Sequence, residues 1–143
     1  MSSISVRLAD WQQDEAIRQI RQQVFVDEQQ VPAELEWDMD DADAAHFLMF
    51  VEQQAMGTAR LLGDGRIGRV AILAEGRGRG LGRELMLAVM HHAQNMGMTN
   101  LTLSAQTHAL EFYRRLGFEV CSDVYLDAGI AHQDMRCISH DAS

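Results

Sequence analysis

Residues 75–85 read EGRGRGLGREL. Four glycines alternate over seven positions, between a strand-like run, RVAIL (69–73), and an amphipathic helical pattern beginning at Leu81. No other stretch constrains the fold as much, because a strand that passes through a glycine turn into a helix belongs in an α/β layer. The turn opens a helix, whose first backbone N–H groups have no intrahelical partner. Helix polarity adds positive charge at the same end. Glycines let a bulky anion approach the amides unobstructed, and Arg77, Arg79 and Arg83 can add charge-assisted contacts. The segment therefore predicts a phosphate site of pyrophosphate size. The plain alternative is a glycine-rich turn with solvated arginines, but one left-handed turn needs fewer glycines than four.

The remaining pattern surrounds this junction with strands. SISVRLA (3–9) alternates as a strand does. Asp10 and Gln13 resemble a capping box for a helix carrying Ile17, Ile20 and Val24, and Pro32 breaks it. ELEWDMDDADAA (34–45) is acidic and irregular. HFLMFVE (46–52), AMGTARLL (55–62) and GRVAIL (68–73) read as an antiparallel meander, joined by QQ and GDGRIG. The helix after the loop spans about 81–96, with Leu81, Leu85, Val89 and Met96 on one face and Gly97 closing it. NLTLSA (100–105) is a strand. Thr107 can cap the short helix HALEFYRRL, which Gly117 ends. FEVCSDVYL and AHQDMRCIS flank the turn DAG as two last strands. The order β-α-βββ-α-β-α-ββ, over 143 residues, predicts a single α/β domain, residues 1–143, with a mixed central sheet.

Several function classes fall away. A net charge of -9 argues against nucleic-acid binding. Every basic side chain is arginine, so Schiff-base chemistry and a Walker lysine are excluded. Cys121 and Cys137 fit neither a CxxC redox pair nor a zinc set. GDGRIG matches GxGxxG, but that fingerprint requires a following helix, and RVAIL is strand-like; a hairpin loop fits better. No apolar run approaches a membrane span and MSSISVRLAD lacks signal-peptide regions, so a cytoplasmic protein without a membrane partner is expected.

Arg77 to Gly82, RGRGLG, resembles the (Q/R)xxGx(G/A) acyl-CoA motif of the GCN5-related N-acetyltransferases, the GNAT superfamily. Downstream, ALEFYRRLGFE (109–119) is similar to that family's signature through its FYxxxGF part (112–118), at matching spacing and element order. VFVDEQQVP, EWDMDD, GTARLL and YLDAGIAHQDM resemble the ElaA-like subgroup. The resemblance implies a GNAT-like fold with a splayed acyl-CoA cleft and an N-acetyltransferase that moves an acetyl group from acetyl-CoA, as co-substrate, to a primary amine in a ternary complex. VAIL (70–73) would be the splayed strand, with the Ile72 amide and carbonyl pairing with the pantetheine arm. Backbone amides of Arg77, Gly78, Arg79, Gly80, Leu81, Gly82 and Arg83 would hold the pyrophosphate. Phe112 would lie beside the pantetheine and sulfur, and Tyr113 would protonate the departing thiolate, a sensible role for a phenol. The chain departs from the family pattern at Ala74, where proline is frequent, at Gly76, where a bulky residue is frequent, and at Gln106, which replaces a cofactor-contacting asparagine; a glutamine amide makes similar hydrogen bonds.

The general base is not legible. Glu36, Trp37 and Asp38 would border the acceptor cleft, with Asp40 and Asp41 nearby; alternatively EWDMDD is a solvated acidic loop anchored by one tryptophan. His46 could face the cleft or end a turn. His91 and His92 are adjacent on a helix and cannot share a face, and His132 and Asp134, alternating on a strand, are too few to propose a metal. The acceptor would be a small molecule or a peptide amine. A non-catalytic acyl-CoA-sensing module remains the competing reading; it keeps the glycine loop and has no need of Tyr113. The late strands could pair across a homodimer, though no residue pattern requires it.

Overall fold

The computed structural model describes residues 3–138. β1 (Ile4–Ala9), β2 (Ala45–Val51), β3 (Gln54–Leu61) and β4 (Arg66–Ile72) form an antiparallel meander. β5 (Asn100–Gln106) lies parallel to β4, and β8 (Ile130–Ile138) antiparallel to β5. Two short strands, β6 (Glu119–Val120) and β7 (Tyr125–Asp127), pair with β8 and complete an eight-stranded mixed sheet. GDGRIG is a hairpin turn: Leu62 donates to the Arg66 carbonyl at 2.8 Å. Gly65 has φ +93, and a Cβ there would lie 2.4 Å from the Asn100 carbonyl oxygen, so the turn admits only glycine.

The long helix, α3 (Leu81–Asn95), packs Leu81, Leu85, Met86, Val89 and Ala93 onto β3 and β4. Met96 is not on that face; it follows the last turn and is 63% exposed, while Ala93 takes the buried position. The first helix, α1 (Glu15–Arg21), continues as a π-helical segment, Gln22–Glu28. Asp10 does not cap it. Its carboxylate accepts the Gln12 N–H at 2.8 Å, an Asx turn that uses the nearest donor, and the helix begins at Glu15. The acidic segment is less irregular than its composition: α2 (Ala33–Glu36) precedes a 3-10 turn, Met39–Ala42, with a capping box between Asp38 and Asp41. α4 (Leu110–Arg114) follows β5 through a 3-10 turn, Thr107–Ala109.

FEVCSDVYL is two strands, not one. Ser122 accepts the Asp134 N–H on its side-chain oxygen at 2.8 Å and interrupts the ladder. The predicted end of the last strand, Ser139, lies outside the described residues. No helix of the described residues is long and apolar enough to cross a membrane.

Two local features open the sheet. β4 and β5 are in register only at Arg66↔Thr102 and Ile67↔Leu103. β4 also bulges: Thr58 faces Ala71 and Arg60 faces Gly68, so β4 carries one extra residue between them. Arg69, within the bulge, has φ 51, left-handed backbone that a non-glycine residue adopts at a cost.

Candidate active site

Beyond Ile67 the two parallel strands diverge and a cleft of about 930 Å³ opens between them. One wall is β4. Leu73 donates its N–H to the Met56 carbonyl of β3 at 2.9 Å. Strand alternation then turns the N–H and C=O of Ile72 the other way, into the opening.

The glycine loop closes one end. After a 3-10 turn, Ala74–Gly76, the chain passes Gly78 (φ +78) and Gly80 (φ +76) into α3. Gly80 is the N-cap residue and supplies no side-chain cap. The first intrahelical bond runs from the Glu84 N–H to the Gly80 carbonyl at 3.2 Å. Six consecutive amides, residues 78–83, donate to no protein acceptor among the described residues. A Cβ at Gly78 or Gly80 would meet no atom within 4 Å, so glycine is required there by backbone conformation and not by crowding. Gly82 differs: a Cβ would stand 3.2 Å from Cζ of Phe112, which brings α4 against the start of α3.

The three loop arginines part company. Arg79 and Arg83 are exposed beside the amides. Arg77 turns away: its Nε donates to the Ile72 carbonyl at 3.0 Å, and its guanidinium forms a two-pronged pair with Glu28. That hydrogen bonding holds the Glu28 carboxyl below its ordinary value. The charge of Arg77 thus ties the splayed strand to the π-helical segment, and its backbone N–H, expected among the pyrophosphate donors, donates to the Ala74 carbonyl at 3.3 Å.

Phe112 and Tyr113 meet edge to face, ring centroids 5.0 Å apart, and Tyr113 packs on Phe118. Tyr113 lines the cleft, and its hydroxyl bonds to no protein group among the described residues. Burial pushes this phenol up to about 12. Gln106 also lines the cleft, with its amide already engaged: it donates to the Gln29 side chain at 2.7 Å and accepts from the His108 ring at 2.6 Å. The first of these bonds straps the end of β5 to Gln29, the residue that caps the π-helical segment.

The acidic segment forms an internal ion-pair cluster. Arg21, 0% exposed, binds Glu36 and Asp41, each at 2.7 Å. Arg60 binds Asp38 at 2.7 Å and Asp41 at 3.0 Å; Arg69 reaches Glu36 at 3.2 Å and Asp38 at 3.1 Å. Burial pushes Glu36 above its ordinary value despite Arg69 and Arg21. Burial also works against ionised Asp41, but its bonds to Arg21 and Arg60 prevail and hold it low. Glu36 borders the cleft with its carboxylate committed to arginine. Trp37 sits under Arg21 and beside Trp11, Asp38 pairs with Arg60 and Arg69, and neither lines this cleft. His46 is buried too. Its Nε2–H donates to the Asp41 carbonyl at 2.8 Å, its ring stacks on Trp11, and desolvation lowers its proton affinity.

Sequence reasoning missed the polar group on the far wall. Ser104 and Gln106 alternate with buried Leu103 and Ala105 along β5, so they point to the opposite face of the sheet. There Ser104 and Asp134 both bond the Tyr125 hydroxyl, and His132, its Nδ1–H donated to the Ile130 carbonyl at 2.7 Å, lines the cleft. The alternation of His132 and Asp134 was legible; Tyr125 between them gave no signal, because the β7–β8 hairpin alone sets their register.

A family profile described as an acetyltransferase (GNAT) domain matches residues 8–139. The uncharacterized N-acetyltransferase YjcF of Bacillus subtilis is 36% identical over 120 residues, covering 81% of this chain and 86% of the relative. Among solved structures, an acyl-CoA N-acyltransferase from Pseudomonas aeruginosa superposes with TM-score 0.84 at 33% identity, over 94% of this chain and 99% of that one. Escherichia coli ElaA does so with TM-score 0.84 at 28% identity, over 94% and 99%.

Proposed function

Because the chain belongs to the GNAT acetyltransferase family, we propose that it transfers an acetyl group from acetyl-CoA to a primary amine by direct attack within a ternary complex. The observation that carries this reading is the run of six amides, residues 78–83, unpaired among the described residues, at the end of the cleft between β4 and β5. Unpaired N–H groups at a helix N-terminus bind a diphosphate through their hydrogen bonds and the helix field. A ligand held there extends along β4, where the Ile72 N–H and C=O offer a strand-like edge for the amides of the pantetheine arm. Arg77 now holds that carbonyl, so its side chain releases Ile72 when the arm pairs fully.

The thioester carbonyl then lies beside the bulge, where a β4 N–H polarises it. A neutral amine attacks the carbon, the carbon–sulfur bond breaks, and Tyr113 gives the sulfur a proton that it regains from the nitrogen. A phenol pushed up to about 12 stays protonated throughout the physiological range. The desolvation that raises it also disfavours the thiolate, so the proton donor and the leaving group shift together.

Calorimetric titration with CoA, ATP and NAD, followed by CoA-thiol release from acetyl-CoA over a panel of amines, tests the reading. Binding selective for CoA and amine-dependent release are expected. Binding of ATP or NAD in preference to CoA would end it; CoA binding with no acceptor turned over would favour a sensing module.

A further inference from the structure

The far wall of the cleft carries a hydrogen-bonded chain whose direction follows from its chemistry. Tyr125 Oη lies 2.6 Å from Oδ1 of Asp134. A carboxylate only accepts, so Tyr125 donates to it. Ser104 Oγ is hydrogen-bonded to the same Tyr125 oxygen. With the phenolic proton already directed at Asp134, the serine must be the donor. Ser104 lines the cleft, and its oxygen is left there with lone pairs alone. The sheet enforces the arrangement. Ser104 is the cross-strand partner of Asp134, and Tyr125 pairs with His132, two residues before Asp134 on the same face. The His132 ring stacks on Tyr125, centroids 6.0 Å apart, and covers it. The charge of Arg66 acts on the Tyr125 hydroxyl against that of Asp134.

We infer that Ser104, Tyr125 and Asp134 form the acceptor-amine subsite, with Ser104 Oγ taking a hydrogen bond from the ammonium and Asp134 orienting it through Tyr125. This deepens the transferase reading and rests on it. An ammonium group has three donors and no acceptor, so a wall that presents only lone pairs, backed by a carboxylate, favours it over an alcohol. Proton flow balances. The ammonium gives one proton to Ser104, Ser104 gives its own to Tyr125, and Tyr125 gives its own to Asp134. The neutral amine attacks; its second proton leaves on the CoA thiol by way of Tyr113, and Asp134 returns the first to solvent. Ser104 touches the substrate. Tyr125 and Asp134 act through it as positioning residues.

Asp134→Asn tests the direction. An asparagine amide can donate to Tyr125, which frees the phenol to donate to Ser104 and turns the serine proton into the cleft. n-Butylammonium chloride and n-butanol are titrated into CoA-loaded protein and followed by nuclear magnetic resonance. In Asp134→Asn the ammonium affinity should fall at least tenfold, with butanol and CoA affinity changing less than twofold. Tyr125→Phe should give a smaller loss, because it breaks the chain without reversing it. A merely structural role would weaken both probes alike. Equal ammonium affinity in wild type and Asp134→Asn, or no ammonium binding by either, would overturn the inference while leaving CoA binding, and so the transferase reading, intact.

Discussion

Gly80→Ala isolates what the glycine loop contributes. Gly80 has φ +76 and ψ 11, the left-handed region, and an added Cβ meets no protein atom within 4 Å. Crowding within the protein therefore contributes nothing, and the cost to the free protein is the backbone preference of an L-residue, about 1–2 kcal/mol. If the loop keeps its shape, the methyl stands among the amides of residues 78–83. If it relaxes, those amides rotate off their common target. Either response weakens CoA. A strain of that size alone corresponds to about a 5–30-fold change in an equilibrium, and obstruction by the methyl adds to it. Calorimetric titration should show CoA affinity at least tenfold lower, and urea unfolding a stability loss of no more than about 2 kcal/mol. Gly63→Ala, in the β3–β4 turn, also meets no atom within 4 Å and lies outside positive φ; it should leave both quantities unchanged. Wild-type CoA affinity in Gly80→Ala would refute the argument that this turn delivers the binding donors.

Three further outcomes follow from named groups. Tyr113→Phe should slow thiol release by about 10²–10⁴-fold, the usual range for a lost general acid, with CoA affinity within about twofold; unchanged turnover of a confirmed acceptor would remove Tyr113 from the acid role. Its donor form persists below about 12 and is lost only as pH rises through that value, so a pH–rate profile should show no alkaline limb from this group below about pH 10. In the ion-pair cluster the fold disfavours ionised Glu36 and favours ionised Asp41. At pH 7, Glu36→Gln, which mimics the protonated acid, should therefore destabilise the protein less than Asp41→Asn does in urea unfolding. The Asp41 contribution is present above its unfolded value of 3.8 and disappears as pH falls through the lower folded value; the reverse order of the two variants at pH 7 would contradict both assignments.

The strand–loop–helix unit was legible because it is local. Alternation over RVAIL, glycine spacing and the apolar stripe of α3 each read directly from neighbours in sequence, and the resulting β4–loop–α3 junction stands where the pattern placed it. What the sequence obscured depends on side chains far apart in the chain. A run such as EWDMDD reads as a solvated loop or an acceptor wall, because nothing near it announces that Arg21, Arg60 and Arg69 converge on it from three other elements. FEVCSDVYL reads as one strand because the serine that interrupts it does so through a bond to β8. Arg77 reads as a phosphate ligand because its partner, Glu28, lies 49 residues away.

The acidic segment also bears on the cleft through the backbone. Arg69 stands in the β4 bulge with φ 51, a conformation that costs an L-residue about 1–2 kcal/mol and persists only where surroundings over-determine it. Those surroundings are the acidic segment: the Arg69 guanidinium donates to the Glu36 carbonyl at 3.1 Å and to Asp38 at 3.1 Å, and pairs with the Glu36 carboxylate at 3.2 Å. Glu36 and Asp38 are in turn fixed by Arg21 and Arg60. The bulge lies where β4 leaves β5, with Arg69 two residues past their last register pair. The carboxylates of this segment thus act on the cleft through the backbone, by holding open the strand edge that a pantetheine arm would pair with.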